Sequence, residues 1–359
     1  MNEDNTSDLF KNAIDKAMKE KGHFNVLIAG RTGIGKSTLI NSVFRENLAE
    51  TGAGKSVTPD TREITKEGIP LTIFDTRGLE MSAFEDTRGE LESLITERCE
   101  AIDPNKHIHV AWLCILEDGR RVEEAEIKLH KMLSDHVPLL VVITKARFDD
   151  GFKDEVQKLL PKARNVLRVL AIPETLDGGH TLKPMGLQNL IEATSELIPD
   201  GMRRALAASQ KVSIKYKKIQ AHKIVVGSAT AAAAAGAIPI PFSDAAILAP
   251  IQIGMIASIS SVFGMELSRG ALSTLVSSAI GVTGAAFAGR AIVSGIFKMI
   301  PGIGTIAGGT IAAATASTLT VTLGEAYIAV LANIFENDPD ANPDFEKIAS
   351  KLKEKLLGK

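Results

Sequence analysis

Cysteine and aromatic residues are scarce in this chain. It has 2 cysteines, Cys99 and Cys114, in 359 residues, and 4% of the residues are aromatic. Two cysteines without spaced clusters exclude a disulfide framework and a cysteine-rich metal site. So few cysteines are typical of proteins in a reducing compartment, where the thiols serve as ordinary packing residues. We therefore expect a cytoplasmic protein, and the polar, acidic N-terminus does not predict a secretory signal.

The chain also lacks a large excess of positive or negative charge. The formal net charge is −2, whereas a general nucleic-acid binder needs a basic surface that releases counterions. We therefore expect no DNA partner. The charges are unevenly placed, and this composition shift predicts two main parts of the chain. Residues 224–334 hold only six charged side chains, which cancel: Asp244, Glu266, Arg269, Arg290, Lys298 and Glu325.

A glycine-rich segment follows the first apolar run, Val26–Ala29, and precedes a helical pattern that begins at Leu39. Its spacing is G-x-x-x-x-G-K-S, in which backbone N–H groups cradle phosphates, a lysine reaches the outer phosphates and a hydroxyl binds Mg²⁺. The sequence therefore predicts a nucleoside triphosphate site with bound Mg²⁺. Its residues are Gly30, Gly33, Ile34, Gly35, Lys36, Ser37 and Thr38.

A second motif, D-x-x-G, ends the apolar run 69–74. A carboxylate at this place, Asp75, is expected to hold Mg²⁺ through water, and the Gly78 N–H to sense the γ-phosphate. The polar, proline-containing segment 57–62 lies between the two motifs and is interpreted as a switch loop. Thr61 is preferred over Thr58 as its Mg²⁺ ligand.

Three further apolar runs, at 109–116, 139–143 and 166–171, alternate with helical patterns. Runs that are apolar on both faces are typical of parallel sheets covered by helices. The predicted fold class is α/β, a doubly wound and mainly parallel sheet that binds its ligand at the carboxyl ends of the strands. An all-α hydrophobic domain is expected to follow it.

Residues 24–198 resemble a translation-factor-class small GTPase domain of the Era-like or dynamin-like branches. The phosphate loop is most similar to those of septins and immunity-related GTPases. The resemblance implies binding of GTP and GDP with Mg²⁺, catalytic roles for Lys36, Thr61 and Gly78, and metal binding by Ser37, Thr61 and Asp75. It also implies base contacts from Thr144, Lys145 and Ala171.

The base-reading motif of these relatives, N/T-K-x-D, is incomplete here, because Arg147 stands where its aspartate belongs. A guanidinium has only donors and cannot accept the guanine N1 and N2 hydrogens. Three alternatives stay open: Asp149 or Asp150 replaces the missing aspartate, another group contacts the base, or the specificity for guanine is relaxed. GTP remains the preferred nucleotide, with Asp149 as the proposed base contact.

The residues at the catalytic positions also differ from those of the relatives. Leu79 stands where Ras-like enzymes have a water-orienting glutamine, and Gly33 cannot supply the asparagine with which some relatives bind potassium. Arg31, Arg62 and Arg77 are candidate charge-stabilising groups, in cis or across a homodimer. We expect slow intrinsic hydrolysis that self-association or a partner accelerates.

The C-terminal half begins with a basic segment, 202–223, interpreted as one helix that would suit an anionic membrane or link two domains. Uncharged runs at 224–243, 245–265 and 299–324 are long enough to span a bilayer, yet their small residues also suit a packed bundle. Two I-P turns, at 238–241 and 300–304, suggest two helical hairpins. Residues 203–335 resemble a helical domain of unassigned function attached to some bacterial Era-like GTPases.

The predicted organisation is an N-terminal helix (1–23), a GTPase domain (24–200), a hydrophobic helical domain (201–338) and a C-terminal amphipathic helix (339–359). The predicted function is a GTP-hydrolysing switch whose helical domain meets an anionic membrane, at the inner face of the cell membrane, or another copy of the chain. Two alternatives stay open: an NTP-dependent interaction protein with negligible hydrolysis, and a dynamin-like or immunity-related membrane mechanoenzyme.

Overall fold

A mainly parallel sheet carries the N-terminal half of the chain. The computed structural model describes residues 3–49, 55–58, 61–76, 84–236, 244–266, 268, 270–276 and 308–357. Within these ranges the sheet has seven strands, with the order β2-β3-β4-β1-β5-β6-β7. They are β1 (Phe24–Ala29), β2 (Lys55–Thr58), β3 (Thr61–Thr65), β4 (Leu71–Thr76), β5 (Val110–Leu116), β6 (Leu139–Thr144) and β7 (Asn165–Val169).

Strands β4, β1, β5, β6 and β7 pair in parallel. Every residue of β1 and β6 is buried, because helices cover both faces of such a sheet. The predicted doubly wound α/β class is confirmed. The strands that follow β1 in sequence, β2 to β4, lie on one side of it, and β5 to β7 lie on the other. Ligands of such sheets bind at the carboxyl ends of the strands, near the point where the strand order reverses.

The helices of this unit mostly connect the strands. They are α2 (Lys36–Val43), α3 (Phe84–Cys99), α4 (Glu124–His136), α5 (Phe152–Leu159), α6 (Leu187–Leu197) and α7 (Asp200–Ser209). A short hairpin of β8 (Glu174–Thr175) and β9 (Thr181–Leu182) follows β7. Together with the sheet they form one compact unit, Gly22–Ser213.

The segment interpreted from sequence as a switch loop is largely strand. Strand β3 pairs antiparallel with β4, and β2 pairs antiparallel with β3. Thr61 is the first residue of β3 and lies opposite Thr76. The loop expectation for residues 57–62 was therefore wrong at 57–58 and 61–62, where pairing of β2 with β3 and of β3 with β4 satisfies the backbone of a polar sequence.

The second unit is helical, as predicted. Among its described residues are the helices α1 (Glu3–Lys21), α8 (Ile214–Gly236), α9 (Asp244–Val262), α10 (Gly308–Asn337) and α11 (Phe345–Leu356). Helix α8 packs against α9 and α10, and α1 packs against α9. Small residues allow this approach: Gly324 of α10 lies so close to Val225 of α8 that a Cβ there would sit 2.6 Å from Val225 Cγ2.

The basic segment 202–223 is not one helix. Helix α7 ends at Ser209 and α8 begins at Ile214. Between them the Gln210 amide closes a local turn, accepting from the Ser213 N–H at 2.8 Å and donating to the Ser213 carbonyl at 2.9 Å. Helix α7 belongs to the sheet unit and α1 to the helical unit, so the compact units differ from the predicted boundaries at residues 23 and 200.

Several predicted features lie outside the described residues: Arg77, Gly78, Leu79 and the two I-P turns. In the described part, one helical stretch, Ala313–Asn337, is long and apolar enough to cross a membrane, with a mean hydropathy of 1.5. Half of its most apolar window is buried against the rest of the protein. Length and composition of this kind also fit a core helix of a bundle.

Candidate functional site

The phosphate loop lies between β1 and α2, as the spacing predicts. Gly35 is the N-cap of α2 and has φ +99°, a left-handed conformation that glycine adopts without strain. The cap position therefore carries no side chain, and the first N–H groups of α2 point toward the loop. A helix N-terminus of this kind is an anion site. Ser37 and Thr38 lie in its first turn, with Ser37 exposed.

Lys36 is buried and its ammonium turns back over the loop. Its Nζ donates to the carbonyl oxygens of Gly30 at 2.8 Å and of Arg31 at 3.0 Å. Burial lowers the pKa of Lys36, and attraction to the Asp75 carboxylate opposes that shift. The two predicted motifs therefore interact electrostatically. At this position the lysine could contact the outer phosphates of a bound nucleotide.

Strand register brings the predicted metal ligands to the same sheet edge. Asp75 lies opposite Ile28, two residues before the loop begins. Thr61 is buried and starts the strand that runs back beside Asp75 and Thr76. Hydroxyl and carboxylate oxygens, together with that of Ser37, are the ligands that Mg²⁺ prefers, so the donor set fits the expected ion. The metal roles themselves stay predictions, and Gly78 lies outside the described residues.

Thr144, the last residue of β6, and Lys145, which follows it, tie this strand to the phosphate loop. The buried Thr144 hydroxyl donates to the Ile34 carbonyl at 2.7 Å and contacts the Ile115 carbonyl at 3.1 Å. Lys145 Nζ donates to the Gly33 carbonyl at 3.1 Å. Both residues thus support the loop, besides lying where the resemblance places base contacts.

A pocket of about 280 Å³ opens beside these residues at the carboxyl ends of β5, β6 and β7. We call it the base pocket. Ala171, predicted as a base contact, lies in its wall, and Asp149 does not line it. The lining residues are Gly35, Thr38, Leu39, Asp118, Thr144, Lys145, Arg147, Val169, Leu170, Ala171, Ile172, Pro173 and Glu174.

Arg147 is engaged by carboxylates at this pocket. Its Nε donates to Glu174 Oε2 at 2.9 Å and its second terminal nitrogen to Glu174 Oε1, which makes the pair bidentate. The remaining terminal nitrogen donates to Asp118 Oδ1 at 3.1 Å. The hydrogen bonding to Glu174, followed by the negative charge of Asp118, raises the pKa of Arg147, and the same hydrogen bonding lowers the pKa of Glu174. We call Arg147, Glu174 and Asp118 the Arg147 cluster.

The buried Glu117 fixes the backbone of this cluster. Its carboxylate accepts from the backbone N–H groups of Arg147 and, at 3.0 Å, of Phe148. It also accepts from Arg168 Nε at 2.8 Å. Arg168 in turn faces the predicted base contact, Asp149, with 3.8 Å between the charged atoms.

The candidate charge-stabilising arginines are placed differently from one another. Arg31, in the phosphate loop, faces two carboxylates of α4 and its N-cap: Glu126 at 3.4 Å and Glu123 at 3.6 Å. Burial raises the pKa of Glu126, and the Arg31 charge opposes that rise. Arg62 lies opposite Asp75 in the sheet. Arg77 is outside the described residues.

Sequence reasoning missed Glu117, Asp118 and Glu174. A signal for the first two was present, because both follow the apolar run of β5, whose carboxyl end must meet those of β1 and β6. No local signal marks Glu174. Its pairing with Arg147, 27 residues earlier, depends on the return of the chain through β7.

The sheet topology, the loop between β1 and α2 and the pocket beside β6 define a P-loop nucleotide-binding domain. Residues 25–145 match a family described as 50S ribosome-binding GTPase. Residues 202–357 match a family described as a domain of unknown function (DUF697). The N-terminal part of the chain thus resembles a P-loop GTPase domain, and a domain of unassigned function follows it, as predicted.

The curated relatives match part of this chain. Septin-14 of Mus musculus is 28% identical over 166 residues, 40% of this chain and 38% of that protein. The tRNA modification GTPase MnmE of Desulfotalea psychrophila is 27% identical over 134 residues, 37% of this chain and 27% of that protein. Septin-9 of Rattus norvegicus is 29% identical over 164 residues, which make up 36% of this chain and 28% of that protein. The chain thus spans well under half the length of these relatives.

Proposed function

We propose that this protein is a guanine-nucleotide switch that binds GTP and GDP with Mg²⁺ and hydrolyses GTP slowly. One observation carries the proposal: the phosphate loop and the base pocket adjoin at one sheet edge, joined by Gly35 and by the hydrogen bonds of Thr144 and Lys145 to the loop. A nucleoside triphosphate laid along this edge meets donors for phosphate at one end and a partly apolar pocket at the other.

The residues have distinct roles in the proposal. Lys36 and the first N–H groups of α2 bind the β- and γ-phosphates, and Ser37, Thr61 and Asp75 hold Mg²⁺, which neutralises phosphate charge when bound. Arg31 is held by Glu123 and Glu126, so its guanidinium is partly neutralised. Slow hydrolysis follows, because phosphoryl transfer depends on positioned positive charge.

The test of this proposal is single-turnover hydrolysis of γ-labelled GTP by the full chain with Mg²⁺. The wild type should release phosphate slowly, and Lys36→Ala should reduce release by about 100-fold or more, since an outer-phosphate contact is lost. Ser195→Ala, a change far along the chain on α6, serves as a control and should leave the rate unchanged. Hydrolysis that is unaffected by Lys36→Ala would contradict the proposal.

The same assay, run over a range of protein concentrations, separates the alternatives. A rate that rises with concentration supports acceleration by self-association. Tight GTP binding with no phosphate release at any concentration supports instead an NTP-dependent interaction protein. The activity that MnmE's name describes, tRNA modification, is a property of that relative and is not part of the proposal.

We further propose that the helical unit meets an anionic membrane through α8. Three exposed lysines, Lys215, Lys218 and Lys223, lie at helical spacing beside the half-exposed Ile219 and Val226. A basic face with apolar side chains between the charges is attracted to anionic lipid. This face is the observation that favours lipid over a purely soluble bundle.

Vesicle flotation tests this second proposal. The full chain should float with vesicles that contain phosphatidylserine and not with neutral ones. Replacing Lys215, Lys218 and Lys223 by glutamine should abolish flotation. The matched control replaces three exposed lysines of α11, Lys351, Lys353 and Lys355, by glutamine and should keep it. Equal loss in both variants would show that net charge, rather than this face, governs the result and would contradict the proposal.

A further inference from the structure

Arg147 replaces the acceptor with which related domains read guanine, yet the base pocket still contains an acceptor. Glu174 and Asp118 line the pocket together with Arg147. Glu174 lies three residues after Ala171, in the continuous segment 169–174 that forms one wall. Its side chain is 29% exposed, so it is partly sheltered and still accessible from the pocket.

The Arg147–Glu174 pair fixes this carboxylate. Both oxygens of Glu174 accept hydrogen bonds from one guanidinium, a bidentate geometry that restricts rotation about the terminal bonds. The guanidinium is held from its other side by Asp118, and the Arg147 backbone by Glu117. Because Arg147 lowers its pKa, Glu174 is ionised at neutral pH.

A free lone pair of this carboxylate can accept hydrogen bonds from guanine. An ionised carboxylate offers about four acceptor sites, and a bidentate arginine uses the converging two of them. One site then remains on each oxygen, and these two sites point away from each other. Guanine presents two donors side by side, N1–H and the N2 amino group, which can share one such oxygen, whereas adenine presents an acceptor at N1 and only a C–H at C2. A fixed carboxylate therefore attracts guanine and repels adenine at this edge.

We propose that Glu174, positioned by Arg147, reads the guanine ring in place of the aspartate that is absent at position 147. This inference rests on the proposed nucleotide-binding function and names the residue that sets its specificity. Asp149 fits the role less well, since its carboxylate faces Arg168 and does not line the pocket. Asp118 contacts a single nitrogen of Arg147 and is the less constrained of the two pocket carboxylates.

The experiment measures displacement of a fluorescent GDP analogue from the full chain by four nucleotides: GDP, ADP, IDP and XDP. IDP lacks the N2 amino group, and XDP has an oxygen there. The wild type should prefer GDP over ADP and XDP by about 100-fold or more, and over IDP by about tenfold, because each lost or reversed hydrogen bond to a charged acceptor weakens binding strongly.

Glu174→Gln places an amide in the same volume, with one acceptor and one donor. GDP affinity should fall about 10- to 100-fold, IDP affinity should fall less, and XDP affinity should rise relative to GDP, because the amide N–H can donate to the xanthine O2. If Glu174 had only a structural role, the substitution would weaken the binding of all four nucleotides by the same factor. Arg147→Gln should shift the same ratios in part, as expected of a positioning residue.

Asp149→Asn is the matched control and should keep the wild-type ratios. Asp118→Asn weakens one contact that holds Arg147 and should shift the ratios in part. Loss of GDP preference in Asp149→Asn or Asp118→Asn, with preference retained in Glu174→Gln, overturns the inference. A GDP preference in the wild type that Glu174→Gln fully retains overturns the inference alone and leaves the proposed function standing. Equal affinity of the wild type for GDP and ADP overturns both. A wild type that binds no nucleotide overturns both.

Discussion

Two glycines of the phosphate loop differ in what surrounds them. Gly30 has φ +144°, and a Cβ there would lie 2.7 Å from the Cys114 carbonyl oxygen, which is buried backbone. Gly33 has φ +78°, and nothing lies within 4 Å of an added Cβ. Positive φ strains any residue with a side chain, but only Gly30 adds a clash with backbone.

We therefore expect Gly33→Ala to reduce the free energy of unfolding by about 1 kcal/mol, from backbone strain alone. Gly30→Ala should reduce it by about 3 kcal/mol or more, from strain and the clash together. Denaturant unfolding followed by the fluorescence of Trp112, the single tryptophan, measures both. Equal losses in the two variants would show that the Cys114 contact is unimportant.

His109 precedes β5 and is buried. Its Nδ1 accepts from the Asn25 N–H at 2.9 Å, so Nε2 carries the proton and donates to the Pro104 carbonyl at 3.0 Å. Burial lowers the pKa of His109 from 6.5 to about 4, and the neighbouring His107 and His23 contribute to that shift. The folded protein thus keeps a neutral imidazole where the unfolded chain binds a proton.

Between pH 6.5 and 4 the unfolded state binds more protons at this site, so the free energy of unfolding should fall as pH falls. Replacing His109 by glutamine should reduce this fall between pH 7 and 4.5 by about 2 kcal/mol. His180→Gln, at an exposed loop position, is the control and should leave the slope unchanged. Denaturant unfolding at each pH measures it, and a His109→Gln slope equal to that of the wild type would contradict this account.

At the scale of elements, the helical unit depends on small residues where its helices meet. An added Cβ on Gly324 of α10 would lie 2.6 Å from Val225 Cγ2 and 3.0 Å from Met255 Sδ. Gly254 of α9 is the matched position, since nothing lies within 4 Å of a Cβ there. The two sites separate packing from helix propensity.

Gly324→Ala should lower the stability of the helical unit by about 1–2 kcal/mol, because overpacking exceeds the gain in helix propensity. Gly254→Ala should raise it by about 0.5–1 kcal/mol through propensity. Thermal unfolding followed by circular dichroism at the helical band measures both. Adding Val225→Ala to Gly324→Ala should recover stability; no recovery would place the clash elsewhere.

The elements that could be predicted from sequence are those with a local signal. Apolar runs bounded by turn residues identified β1, β4, β5, β6 and β7, because strands buried on both faces need no partner information to be recognised. The strands β2 and β3 were missed, since their polar residues acquire strand structure only by pairing with β4. The break between α7 and α8 was missed for a related reason: it depends on side-chain bonds of Gln210.

The site divides in the same way. The phosphate loop is a continuous motif, and its residues could be predicted from spacing alone. Glu174 meets Arg147 only because β7 returns beside β6, so no local pattern could reveal the pair. Sequence showed that the usual acceptor is missing; the tertiary structure is needed to find its replacement.

At the scale of the whole molecule, the chain joins a unit built on the sheet and its phosphate-loop motif to a helical unit that includes the N-terminal helix α1. The central claim is that the first unit binds guanine nucleotides through its phosphate loop and base pocket. Nucleotide binding by the full chain can be measured before any partner of the helical unit is known.

The most direct measurement is equilibrium displacement of a fluorescent GDP analogue from the full chain by GTP and by ATP, with Mg²⁺ present. We expect GTP to displace the probe at a concentration at least about 100-fold lower than ATP, because a fixed carboxylate in the base pocket rejects adenine. Lys36→Ala should weaken binding of both nucleotides. Equal displacement by GTP and ATP, or wild-type affinity in Lys36→Ala, would contradict the account.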